Sequence, residues 1–178
     1  MATAAIAFAQ LANEMESEGM TTHNGARVGA ELAKTFGVQP DEVAILRLEK
    51  SNLSFVYPEK LQQVGSIPMN TSSSVAARTA TTKRAEAINN FAQTKHASVF
   101  ESVELGAKKA EQIGQKHEKH THVIQKLMSV PVMAATGAVG VIQISRKGTS
   151  APAAGADFTP VDLQKLVAIA GSLAKCFK

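Results

Sequence analysis

A chain of 178 residues, of which 44% are hydrophobic, is long enough to form one domain with a substantial core. Its single cysteine, Cys176, excludes an internal disulfide, and no apolar run approaches the roughly 18 residues that a membrane span requires. The N-terminus lacks a basic region and turns acidic at Glu14, which argues against a signal peptide. We therefore expect a soluble, cytoplasmic protein with no membrane partner.

The net charge of +4 is concentrated in the middle of the chain. Residues 78–126 contain nine Lys or Arg against five Glu, an excess that equals the whole net charge. One interpretation is a solvated basic face, and the other is a positive potential over an anionic ligand or an acidic partner. Because the chain has no Trp, a single Tyr and no nucleic-acid-binding motif, we expect no nucleic-acid partner.

Hydrophobic periodicity predicts helices at the start of the chain and strands after them. The elements in order are helices at 4–18 and 21–36, strands at 42–49, 53–57 and 64–69, a helix at 72–82 and a short strand at 87–90. Gly37 suits the end of the second helix. Tyr57-Pro58 should end the second strand, because proline cannot donate to the ladder. Residues 91–122 predict a short helix near 97–104 and then a polar excursion, in which His117, His120 and His122 are interpreted as solvated rather than zinc-binding.

The last part of the chain predicts a hairpin followed by an amphipathic helix. Two apolar runs, 128–135 and 139–144, meet at Thr136-Gly137. Thr159, Pro160 and Asp162 have the residue types of the N-cap, first and third positions of a helix. The stripe that this helix should bury is Leu163, Leu166, Ala170, Leu173 and Phe177. Strands grouped in this way between helices indicate an α+β fold with an antiparallel sheet.

The segment GVIQISRK…DFTPVDL resembles the end of the GAF domain, a ligand-binding sensory module of signalling proteins. Upstream, VAILRLE and LSFVYP are similar to its first hairpin, and LQQVGSIPMNTSSSVAARTATTKRAEAINN is similar to its third strand, pocket helix and fourth strand. The resemblance covers about residues 20–177. It implies a six-stranded antiparallel sheet with the N- and C-terminal helices on one face and the pocket helices on the other. Residues 1–19 are then an N-terminal helix for dimerisation, and 20–178 a single GAF-like domain.

The resemblance places the helix that begins at the serines 72–74 beside a ligand pocket. We expect ligand contacts from Ser73, Ser74, Arg78, Thr79, Asn90 and Phe100. The free amides at the start of a helix favour an anionic ligand. Ordinary structural roles compete with these assignments: a serine can be the N-cap, Asn-Asn can form a turn, and an aromatic ring can belong to the core.

Three residues match the motif of the cyclic-nucleotide-binding members of that family, Lys147, Phe158 and Asp162, and its Lys and Asp are thought to pair. Arg146 and Leu163 depart from the motif, which puts cyclic-nucleotide binding in doubt. One branch of the family reduces free methionine sulfoxide with several cysteines, whereas here Cys176 stands alone outside the pocket region. The sequence therefore predicts no cofactor and no metal, and it predicts that the chain is not an enzyme.

The leading functional prediction is a sensory domain that binds a small molecule and reports it to a separate output protein. We expect it to be a homodimer, because the Ala-rich first helix offers a shallow packing surface. The alternative is an interaction module with a vestigial pocket that acts only by dimerising or docking. A redox or other GAF-type enzyme is the third option.

Overall fold

Six strands form one antiparallel sheet in the computed structural model, which describes residues 2–93 and 123–178. The predicted helix near 97–104 and the three histidines lie outside these residues. The elements in chain order are α1 (Ala2–Met15), α2 (Thr22–Phe36), β1 (Val43–Glu49), β2 (Asn52–Tyr57), β3 (Ser66–Pro68), α3 (Val75–Thr82), β4 (Glu86–Ile88), β5 (Val123–Ala134), β6 (Gly137–Gly148) and α4 (Pro160–Leu173). The strands lie in the sheet in the order β3-β2-β1-β6-β5-β4. The predicted α+β class and six-stranded antiparallel sheet are confirmed.

The predicted capping residues lie at the end of α2 and at the start of α4. Thr21 caps α2 by accepting a hydrogen bond from the Asn24 amide, and Gly37 ends it with φ of 63°. At α4 the Thr159 hydroxyl accepts from the Asp162 amide at 3.1 Å. The Asp162 carboxylate accepts from the Thr159 amide in return at 2.8 Å, which completes a capping box.

The helices α1, α2 and α4 cover one face of the sheet. Their buried side chains form a continuous core with the strand residues that point the same way; its members include Phe8, Ala12, Met15, Val28, Leu32, Phe36, Val43, Ile45, Met128, Val130, Ile142, Ile144, Leu166, Ile169 and Leu173. Phe177 joins this core beyond the end of α4. A Cβ at Gly140 of β6 would come within 2.6 Å of the Phe177 ring, so a glycine allows this close approach.

The opposite face of the sheet is covered by α3. A second, separate core lies there; its members are Ala44, Leu46, Leu53, Phe55, Leu61, Val75, Ala76, Ala80, Phe91, Ile124, Leu127 and Val141. The two cores on opposite faces confirm the predicted layer arrangement for α1, α2, α3 and α4. Among the helices of the described ranges, none has the length and apolar character needed to cross a bilayer.

The central hairpin is longer than its apolar runs suggest. β5 and β6 each have twelve residues, and Ala135-Thr136 form the turn between them. β5 begins five residues before the predicted run and contains a register shift between Ile124 and Lys126. The buried Lys126 ammonium pairs with the Asp157 carboxylate at 2.8 Å and donates to the Gly155 carbonyl at 2.6 Å. These contacts allow a charged residue inside the strand.

Candidate functional site

A chain of hydrogen bonds joins α3 to the middle of the sheet. The Thr79 hydroxyl donates to the Val75 carbonyl at 2.8 Å, so it can only accept from Ser129 of β5, whose oxygen lies 2.7 Å away. The Ser129 hydroxyl in turn accepts from the side-chain NH₂ of Gln143 at 3.1 Å. We call Thr79, Ser129 and Gln143 the polar cluster; all three are buried.

Gln143 is the last member of this series of hydrogen bonds, and its side-chain carbonyl is an unpaired acceptor. It lies on β6 between Ala44 of β1 and Ser129 of β5, with 1% of its surface exposed. Its Oε1 is buried and receives no hydrogen bond from the described residues. Leaving a buried polar atom unsatisfied costs about 1–3 kcal/mol. This amide therefore leaves an unsatisfied acceptor beside the Ser129 hydroxyl and the apolar core of the α3 face.

Further along β6 the polar groups of Ser145 and Lys147 have partners in the segment before β1. The Ser145 hydroxyl donates to the Glu42 carbonyl at 3.2 Å, and the Lys147 amide donates to the Glu42 carboxylate at 2.8 Å. The Lys147 ammonium donates to the Asp41 carbonyl at 3.0 Å and lies 3.6 Å from its carboxylate. Burial lowers the pKa of Lys147, and the nearby Asp41 carboxylate opposes that shift.

The pairing of Lys147 with Asp162 that the family motif implies is not formed. Lys147 pairs with Asp41, while Asp162 belongs to the capping box of α4. Lys147 thus contacts the segment before β1, and Asp162 contacts only the N-cap of its own helix, so neither contact holds the two parts of the motif together.

The predicted ligand contacts do not all come together. Ser74 is buried and caps α3 by accepting from the Ala77 amide at 3.2 Å, whereas Ser73 and Asn90 are exposed. The Arg78 guanidinium donates through Nε and Nη2 to the Glu86 carboxylate, at 2.9 and 2.7 Å. Thr79 is the one predicted residue that the structure places in the polar cluster. Phe100 lies outside the described residues, and the contact of these side chains with a ligand stays a prediction.

Asn89, the neighbour of the predicted Asn90, has a defined contact. Its side-chain NH₂ donates to the Phe158 carbonyl at 3.0 Å, and its carbonyl accepts from the Phe158 amide at 2.8 Å. The Arg146 guanidinium lies over the Phe158 ring at 4.7 Å. The two hydrogen bonds of Asn89 link the segment after β4 to Phe158, the residue before the N-cap of α4.

Sequence reasoning missed Gln143 and Ser129. The available signal was weak: GVIQIS contains one amide within an apolar strand, and a strand covered on both faces should either pair or avoid such a group. The partner of Gln143 is Ser129 on the neighbouring strand β5, 14 residues earlier in the sequence, so no local pattern reveals it.

Other candidate chemistry is sparse in the part of the chain that the structure describes. It contains no group of three or more His, Cys, Asp or Glu side chains that could hold a metal. Cys176 is buried in the core of the α1, α2 and α4 face, with its sulfur 3.4 Å from the Ala12 carbonyl, and burial raises the pKa of its thiol.

Comparisons with known proteins match the chain through its structure. Neither a family model nor a curated protein matches the sequence. Among solved structures, the GAF domain from an Acinetobacter phosphoenolpyruvate-protein phosphotransferase is 13% identical, covers 97% of this chain and 92% of its own, and has a TM-score of 0.63. The GAF domain of A. aeolicus nlh2 in an inactive state is 15% identical, with 98% and 96% covered and a TM-score of 0.59.

A third similar structure is an enzyme. The type II free methionine-R-sulfoxide reductase from Thermoplasma acidophilum is 17% identical, with 94% of both chains covered and a TM-score of 0.58. The prediction that the chain is not an enzyme is therefore wrong as an inference from its architecture, because free methionine-R-sulfoxide reductases share that architecture. The sheet order, the helices on its two faces and these similarities together show that the chain has the fold of a GAF domain.

Proposed function

We propose that this chain is a sensory domain that binds a small molecule on the α3 face of its sheet. The unpaired Gln143 carbonyl carries the proposal, because a bound donor would satisfy an acceptor that the described residues leave without a partner. The surrounding apolar side chains, themselves buried, support it, since ligand sites are lined mainly by apolar side chains with a few placed polar groups. A cytoplasmic location is part of the proposal and rests on the free thiol of Cys176.

The proposal includes the predicted contacts at the start of α3. Ser73 is exposed beside the helix N-terminus, where free amides favour negative charge. Arg78 is half-exposed but already paired with Glu86, so an anionic ligand would have to compete with that carboxylate. An anionic group on the ligand therefore gains less from Arg78 than an unpaired guanidinium would provide.

A ligand screen tests the binding function. Native mass spectrometry of the purified protein should show a mass above that of the bare 18.7 kDa chain, or one compound of a metabolite panel should raise its melting temperature. A ligand at 100 times its Kd stabilises the folded state by about 2.7 kcal/mol, which gives a shift of several degrees. An unliganded mass together with no shift across the panel would contradict the proposal.

The signal would leave through α4. The two hydrogen bonds of Asn89 hold the segment after β4 against Phe158, directly before the N-cap of that helix. A ligand that moves the α3 face could thus act on the first turn of α4. We propose that a separate output protein reads this helix.

A homodimer through α1 and α4 is the second part of the proposal. The large hydrophobic side chains that remain exposed in the described residues are Ile6, Val64, Val123, Met133, Val161 and Val167. Three of the six lie on these two helices, which pack against each other. A twofold dimer could bury this face in both copies.

Light scattering during size exclusion tests the dimer. The wild type should give roughly twice the 18.7 kDa chain mass, and Val167→Glu or Ile6→Glu should shift it toward the chain mass because each places a carboxylate in the interface. Val64→Glu is the matched control, since Val64 is 40% exposed against 45% for Val167 but lies between β2 and β3. A wild type that stays monomeric at tens of micromolar would contradict the dimer.

A further inference from the structure

We infer that Gln143 selects the chemical class of the ligand: an uncharged, largely apolar compound that donates one N–H or O–H to Gln143 Oε1. The inference rests on the proposed ligand site and specifies its chemistry. Three observations carry it: the direction of the hydrogen bonds in the polar cluster, the character of the described side chains around it, and the absence of an available charge among those side chains.

The hydrogen bonds of the cluster run in one direction. The Gln143 NH₂ donates to Ser129, the Ser129 hydroxyl donates to Thr79, and the Thr79 hydroxyl donates to the Val75 carbonyl. Each hydroxyl donates once and accepts once. The series of hydrogen bonds therefore ends at the Gln143 carbonyl, an acceptor that has no donor among the described residues.

The reverse orientation of the amide is less favourable. If the Gln143 carbonyl faced Ser129, the Ser129 hydroxyl would donate to it. Thr79 would then have to donate to Ser129, which removes the hydrogen bond from Thr79 to the Val75 carbonyl. The contacts on the α3 side therefore fix the amide as an acceptor toward a ligand, and a ligand that offers only acceptors cannot satisfy it.

Beyond the hydroxyl groups of Ser129, Thr79 and Ser145, the described side chains around Gln143 on this face are apolar. On the same face lie Ala44 beside it and Val141 before it, with Leu46 and Phe55 in the same core. The charge further along the strand, Lys147, is already paired with Asp41. Among the described residues a buried ligand charge would find no counter-ion at Gln143 and would be strongly disfavoured. These surroundings suit a small ring or aliphatic body with one donor.

Matched pairs of neutral fragments test the inference. We would titrate 2-pyridone against N-methyl-2-pyridone, and benzamide against N,N-dimethylbenzamide, by thermal shift and by calorimetry. In the wild type the N–H member should bind at least about tenfold more tightly than its methylated partner. The methylated nitrogen has no hydrogen to donate, so the Gln143 carbonyl stays unpaired. Gln143→Met should remove this preference, since it keeps the length of the side chain and replaces its polar end.

The unliganded Met variant supplies a second measurement. Gln143→Met loses one hydrogen bond to Ser129 but also removes the unsatisfied acceptor, so its melting temperature should equal or exceed that of the wild type. A purely structural glutamine would instead leave the variant less stable by several degrees. Gln164→Met, an exposed change on α4, is the control and should retain both affinity and preference.

The outcomes separate the inference from the function on which it rests. Equal binding of both members of a pair, a preference that survives in Gln143→Met, or a marked loss of stability or folding in that variant would each overturn the role of Gln143. The proposed site would remain if such ligands still bound the wild type. No binding of any fragment, with an unliganded mass for the purified protein, would overturn both.

Discussion

Replacing Leu166 with alanine should lower the free energy of unfolding by about 2–5 kcal/mol. Leu166 is 0% exposed and lies on the inner face of α4, in the core that this helix forms with α1 and the sheet. Alanine removes three buried carbon atoms, and the rigid strands below cannot move to fill the space. The loss therefore combines the lost transfer free energy of the side chain with the cost of a cavity.

The neighbouring residue provides the control for Leu166. Val167 lies on the same helix and is 45% exposed, so Val167→Ala should change the free energy of unfolding by no more than about 0.5 kcal/mol. Urea denaturation at a concentration where the protein is monomeric measures both, with an unchanged m-value as the sign that the folded state is intact. A Leu166→Ala loss below about 0.5 kcal/mol would contradict the placement of α4 on the sheet.

The features that local sequence determines were predictable. The N-cap at Thr159, the proline after it and the carboxylate at Asp162 all act within four residues, and the structure contains the predicted capping box. Gly37 ends α2 for a similarly local reason, because glycine adopts positive φ readily. The order of elements followed from such signals together with apolar periodicity.

The lengths of the central strands were less predictable. The sequence places the start of the fifth strand near residue 128, yet β5 begins at Val123 because the Lys126 ammonium finds Asp157, thirty-one residues away, as a partner. β6 extends to Gly148 because Glu42 and Asp41 meet its polar end. Charged residues at such positions favour the prediction of a loop until their tertiary partners are known.

The candidate site shows the same limit. Thr79 could be predicted because the helix α3 was predicted. Its position along that helix directs its side chain toward the sheet. Ser129 and Gln143 come together only through the register of β5 and β6, and Asn89 reaches Phe158 across 69 residues. Pairings set by the register and the layering of the sheet leave no periodic trace in the sequence.

Phe8→Ala should produce a loss as large as any in the chain, about 3–5 kcal/mol, for a reason that bears on the role of α1. Phe8 is 0% exposed within one chain and belongs to the same core as Leu166. Its contribution is thus made inside the domain, even though α1 was predicted as a separate dimerisation helix. The loss measured by urea denaturation should be independent of protein concentration.

Ile6, two residues earlier and 57% exposed, separates the two roles of the helix. Ile6→Ala should leave the free energy of unfolding of the monomer within about 0.5 kcal/mol of the wild-type value, while it weakens the proposed dimer. A Phe8→Ala loss that grew with protein concentration would instead assign Phe8 to an interface between chains. A small, constant loss would show that α1 contributes little to the core. The two substitutions together therefore decide whether α1 packs on its own domain and also presents an outer face to a second copy.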